Sequence, residues 1–238
     1  MKWLLVSSAL LYLVSFRRPI FAAALCGELV YLASRGIGLG RLPLIGPQDT
    51  LAFFSCSIGL MALPFVFSGA LSRERLFTWG CGALAGFFAL CALPFPTLNM
   101  PLPPILDTYW FELHVALAFF AYALFGLAAL LGALFLRKGG RQVLDLQYRA
   151  ALVGYTFFSL SMISGGIWGY YAWGTYWLWT AKELWTSILW LFYSLYLHLR
   201  VKGAGWDRAF AWLGILGFFV MLFTYLGVSM LMRSSHSF

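Results

Sequence analysis

The chain has 238 residues, of which 62% are hydrophobic, 19% aromatic and only 10% charged, with a mean hydropathy of +0.85. A soluble domain of this size cannot cover so much apolar surface, so the composition excludes one and implies an all-α, polytopic transmembrane helix bundle. The net charge of +8 is accounted for by topology, as the distribution of Lys and Arg below indicates, and nucleic acid is not an expected partner.

A helix needs about 20 apolar residues to cross a bilayer. Eight runs meet or approach that length, at 2–16, 18–34, 50–70, 76–94, 111–136, 148–166, 181–199 and 209–232. The first resembles a secretory signal in hydrophobicity, but Arg17 and Arg18 follow the run and no small-residue cleavage pattern appears, so a retained helix is expected. Helix two carries Glu28 near its middle, where an ionisable group faces a polar cavity or a partner helix. It reads either as a proton or ligand-path contact or as a hydrogen-bonded interhelical group. Cys26, Cys56, Cys81 and Cys91 lie in separate apolar runs without C-x-x-C spacing, which argues for packing thiols and against a redox pair or metal cluster.

Cytoplasmic connections carry the excess of Lys and Arg. With both termini outside, the inner connections hold eleven of the sixteen basic residues: Arg17, Arg18, Arg73, Arg75, Arg137, Lys138, Arg141, Arg149, Arg200, Lys202 and Arg208. Two external connections then have material for chemistry. PFPTLNMPLPPILDTYW, from Pro94 to Trp110, is too rich in proline for helix and predicts a fixed, extended loop. WGYYAWGTYWLWTAKELW, from Trp168 to Trp185, gathers five of the eleven tryptophans, Trp168, Trp173, Trp177, Trp179 and Trp185, beside Lys182.

The three histidines take different depths on this topology. His114 opens helix five and His236 follows helix eight, both on the side of the Trp-rich segment. His198 lies about 26 Å along helix seven, in the cytoplasmic half. It reads as a hydrogen-bonded or interfacial histidine, or as one ligand of a bis-imidazole centre completed by another protein. Paired imidazoles, stacking rings and a nearby cation suit haem, whose iron takes histidine nitrogen and whose propionates take Lys or Arg. The competing explanation of the tryptophans is an interfacial aromatic belt.

These residues carry a resemblance. The Trp-rich segment followed by YLHLR, with ELHVALAFFAYALF around His114 and GVSMLMRSSHSF around His236, resembles the WWD signature of the CcsA/ResC branch of cytochrome c biogenesis proteins, from helix five onward. The resemblance implies one integral membrane domain over 1–238 with an external Trp-rich segment at 166–185, in a bacterial cytoplasmic membrane or a thylakoid. It also implies haem b as the transported substrate, delivered for thioether attachment to the Cys-x-x-Cys-His segment of apocytochrome c by a synthase complex. The implied partners are a CcsB/ResB-type membrane protein and a thiol-reducing, thioredoxin-like protein. His114 and His236 match the family's external axial ligands of haem iron, and His198 the inner ligand whose counterpart lies on the partner. The five tryptophans match the haem platform, and Lys182 stands where a propionate or substrate contact would be; no catalytic residue is assigned.

The signature departs from the family's Trp-Asp-Pro-Lys-Glu, since Trp179-Thr180-Ala181-Lys182-Glu183 lacks both the acid and the proline. Thr-x-x-Glu is a capping box, so helix seven is expected to start at Ala181 all the same. Two other classes are compatible with parts of the pattern. A WWD-related regulatory membrane protein without haem ligation shares the segment, and a small-molecule transporter accounts for the helices and Glu28 but not for the crowding of indoles.

Overall fold

In the computed structural model 82% of the described residues, which are 2–69, 71, 74–99, 101–202 and 204–232, are helical, and no strand occurs among them. The expected all-α class is found, and six of the described helices are long and apolar enough to cross a bilayer. This is an integral membrane protein. The described chain falls into two compact units, Met1–Pro101 and Leu102–Phe238.

The first unit holds α1 (Lys2–Leu13), α2 (Arg18–Leu39), α3 (Pro47–Val66) and α4 (Arg75–Ala92). Helices α2 and α3 each start with proline in the first turn, where the missing N–H costs nothing. Helix α1 stops at Leu13 instead of residue 16, about 18 Å in all, so it falls short of a full crossing. Helix α2 continues five residues beyond its apolar run and ends at Gly40, whose φ of +67° suits glycine. The extension is stabilised by Arg35, which donates from Nε and Nη2 to the two carboxylate oxygens of Asp49 at 3.1 and 3.0 Å. The same guanidinium donates to Asn99 Oδ1 and, at 2.6 Å, to the carbonyl of Leu98, which pins the start of the proline-rich loop to this corner. The described residues of that loop are free of helix up to Thr108, as its prolines predict, and its last two, Tyr109 and Trp110, already belong to the next helix.

The second unit holds α5 (Tyr109–Lys138), α6 (Arg141–Trp173), α7 (Ala181–Leu199) and α8 (Asp207–Leu222), followed by a π-helical turn (Phe223–Gly227) and a short α9 (Val228–Leu231). Helix α6 corrects the expected 148–166. It begins seven residues earlier, because helix continues through the polar Arg141–Gln147 stretch, and it ends seven residues later, where Gly174 adopts φ +74°. Only Gly139 and Gly140, at φ +73° and +100°, separate α6 from α5, so the two long helices run antiparallel. Helix α7 occupies the expected residues, and the predicted capping box is present: Glu183 N–H donates to Thr180 Oγ1 at 3.4 Å and Thr180 N–H to Glu183 Oε2 at 2.9 Å.

Aromatic rings fill the core of this unit. Phe125 of α5 stacks on Tyr193 of α7 at 3.6 Å, and Tyr196 stacks on Phe210 of α8 at 4.3 Å. Gln147 donates to the Ala211 carbonyl at 3.3 Å, and Gly132 and Gly214 leave room for its amide. Beside it, Arg200 pairs with Asp145 and with Asp207, tying the end of α7 to the starts of α6 and α8. Leu184, Ile188, Leu191 and Leu195 lie along the exposed side of α7, as a lipid-facing stripe requires.

Candidate functional site

Helices α5, α6 and α7 enclose a cavity at the end of the unit where α7 begins. Its lining includes His114, Ser161, Gly165, Trp168, Trp173, Trp177, Lys182 and Thr186. The enclosed volume is about 80 Å³.

His114, on the second turn of α5, is held by α6. Its Nδ1 lies 2.8 Å from the Ser161 carbonyl oxygen, which only accepts, so Nδ1 carries the proton and donates. The Ser161 hydroxyl returns a bond to the His114 carbonyl at 2.9 Å. The tautomer is thereby fixed with Nε2 unprotonated, the state in which imidazole binds a metal. Gly165 makes this position possible, since a Cβ there would stand 2.5 Å from His114 Nδ1.

Trp168 roofs the imidazole, nearly parallel to it at 6.3 Å, and its indole N–H donates to the Ile105 carbonyl at 2.8 Å. Trp173 meets Trp168 edge-on at 4.9 Å. The expected Trp-rich connection is therefore divided: Trp168 and Trp173 stand on the last turns of α6, and only Gly174–Thr180 is loop. No proline interrupts α6, and its internal glycines keep helical dihedrals up to Gly174, so the aromatic run continues the helix. Trp168, Trp173 and Trp177 line the cavity. Trp179 is 69% exposed and sits at φ +56°, a left-handed conformation unusual for a bulky side chain. Trp185 packs edge-on against Phe223 of the π-helical turn at 4.6 Å.

Lys182 reaches the cavity from the first turn of α7 and donates to Ser229 Oγ of α9 at 2.7 Å, which brings the end of the last helix to the cavity. His236, five residues beyond α9, lies outside the described residues. His198 is at the opposite end of α7, about 24 Å from Lys182 at helical rise. It is exposed, with Nδ1 2.7 Å from the Ser194 carbonyl, to which it donates. Among the described residues no group of three His, Cys, Asp or Glu side chains forms a metal cluster.

Ser161, Gly165 and Thr186 were absent from the sequence-based set. The signal for the first two was the small-residue run S-x-x-S-G-G from Ser161 to Gly166, which allows close approach of a neighbouring helix. Nothing in the sequence says that His114 is the group that approaches.

Residues 28–236 match the family model described as cytochrome C assembly protein. The chain belongs to that family. A cytochrome c biogenesis protein CcsA from Chlamydomonas reinhardtii is 31% identical over 217 residues, covering 84% of this chain and 61% of that protein. Proteins of the same name from Prochlorococcus marinus subsp. pastoris and Heterosigma akashiwo are 30% and 28% identical, covering 87% of this chain in both cases and 78% and 80% of their own lengths. The chain thus spans about three fifths of the algal relative's length, and more of the other two. The family match takes in all of α5 to α9 and, in the first unit, everything from Glu28 onward.

Proposed function

We propose that this protein acts in cytochrome c biogenesis by holding haem at the His114 cavity and presenting it for covalent attachment to apocytochrome c. The single observation that carries the reading is the tautomer of His114, whose Nδ1 is committed to a backbone carbonyl so that Nε2 serves as ligand beneath a tryptophan roof. The residues present fit haem: an imidazole with a free lone pair, three indoles and one ammonium line a single cavity.

In this reading haem is the substrate, and its vinyl groups are where the thiols of a Cys-x-x-Cys-His segment add. The chain's own residues orient the reactants. His114 and His236 hold the iron, Trp168, Trp173 and Trp177 exclude water from one face, and Lys182 attracts a propionate. Positioning of this kind supplies a large part of the rate of a two-component reaction. His198, turned outward at the far end of α7, suits a ligand shared with a CcsB/ResB-type partner. The cavity faces the side of the membrane opposite the basic connections, external or lumenal.

The test is the absorption spectrum of the chain co-purified with a ResB-type partner, reduced and oxidised, in wild type, His114→Ala and His236→Ala. The expected result is a haem spectrum altered in both variants and restored by added imidazole. Absence of haem from the wild-type complex would overturn the proposal and favour the regulatory alternative.

A further inference from the structure

The first unit contains an acid that haem handling does not use. Glu28 lies at the middle of α2 and is fully buried. Its Oε2 accepts from the Tyr12 phenol of α1 at 3.1 Å, while Oε1 has no hydrogen-bond partner among the described residues. Ser55 of α3 also lies beside the carboxyl, with its hydroxyl donating to the Ala85 carbonyl of α4 at 2.8 Å. Cys56 of α3 and Tyr31 on α2 itself are the other titratable groups nearby, and no cation is paired with Glu28 among the described residues. An unpaired carboxylate in such a place carries a very large desolvation cost, whereas a neutral acid does not. Glycine makes room for the arrangement, since a Cβ at Gly59 would stand 2.4 Å from the Tyr12 hydroxyl.

A row of buried polar groups leads away from this acid. Glu28, Tyr31 and Arg35 follow one another at i, i+3 and i+7 on the inward face of α2, covering about 10 Å of helix. Gln48 of α3 donates to the Tyr31 phenol at 3.0 Å and leaves its own Oε1 without a partner. The next residue, Asp49, forms the ion pair with Arg35 at the α2–α3 end of the unit. Buried oxygens without protein partners are satisfied by water in native proteins. The second unit also has them, at Gln147, Tyr193 and Tyr196, but no acid stands among those three.

We propose that Glu28 is a proton-binding site within the membrane, in exchange with water at the α2–α3 end of the unit through Tyr31 and Gln48. The ligand is the proton itself, taken up and released by the carboxyl with no change elsewhere in the covalent structure. This goes beyond the haem reading and does not depend on it.

Infrared difference spectroscopy of the full chain in lipid nanodiscs tests it. A protonated-carboxyl C=O band is expected in wild type, absent from Glu28→Gln, and shifted in Tyr12→Phe, which keeps the acid and removes its donor. On transfer to D2O the wild-type band moves to its deuterated position, and Gln48→Leu slows that exchange by about tenfold, the rate equivalent of one unpaired buried polar group. A band that never shifts in D2O would mark a sealed structural acid and overturn the proposal. So would the absence of any protonated-carboxyl band that depends on Glu28.

Discussion

Gly165 lacks a side chain at the one place on α6 where a Cβ would meet His114 Nδ1, 2.5 Å away. Gly165→Ala must push the imidazole off the Ser161 carbonyl, and changes to such orienting contacts typically weaken metal binding 10–100-fold. The adjacent Gly166→Ala is the control, because its Cβ would meet only the Tyr176 carbonyl at 3.5 Å, an ordinary contact. Haem titration of the two variants should separate them by at least about one order of magnitude. Thr180 poses a different question, since its hydroxyl caps α7 where the WWD signature that the segment resembles has an acid. Thr180→Ala should cost about 1 kcal/mol, read as a lower Tm, and Thr180→Asp should keep the cap at little cost. If haem content and maturation yield follow the cap and ignore the added charge, the residue serves the helix alone.

At the scale of elements, the π-helical turn Phe223–Gly227 sets the direction of everything after it. Its extra residue places Phe223 on Trp185, Tyr225 edge-on to Phe119 and, one turn later, Ser229 on Lys182. Deleting Thr224 should convert the turn to ordinary α-helix and rotate the chain beyond it by about 100°. The haem spectrum is then expected to match that of His236→Ala. Such turns are illegible in sequence, because FTYLG reads as apolar helix whether four or five residues close the hydrogen bond. The start of α7 was legible to the residue, since Thr-x-x-Glu names its own cap. The length of α6 was not: apolar runs record the part of a helix in contact with lipid, and neither the Arg141–Gln147 stretch nor the Trp168–Trp173 stretch is lipid-like, though both are helical. His114 could be chosen from the sequence by depth, but its tautomer depends on the α5–α6 register, which spacing does not encode.

For the molecule as a whole, the thiols offer a broad test of what the chain contributes. Cys56 and Cys81 are buried, Cys91 is half-buried and Cys26 is exposed, and all four are free. If the protein only orients haem and its acceptor, replacing all four by Ala should leave the haem spectrum and the yield of mature cytochrome c unchanged. A fall in yield with the spectrum intact would assign a thiol to the attachment step. The Gly139-Gly140 joint carries a further consequence, for how the protein reaches its membrane. Two residues between helices of 30 and 33 residues leave no polar segment to cross the bilayer alone and no slack for one helix to enter long before the other. Helices α5 and α6 are therefore expected to enter the bilayer together as a hairpin with Arg137, Lys138 and Arg141 at its tip, so that the helix carrying His114 and the helix that sets its tautomer are matched during synthesis.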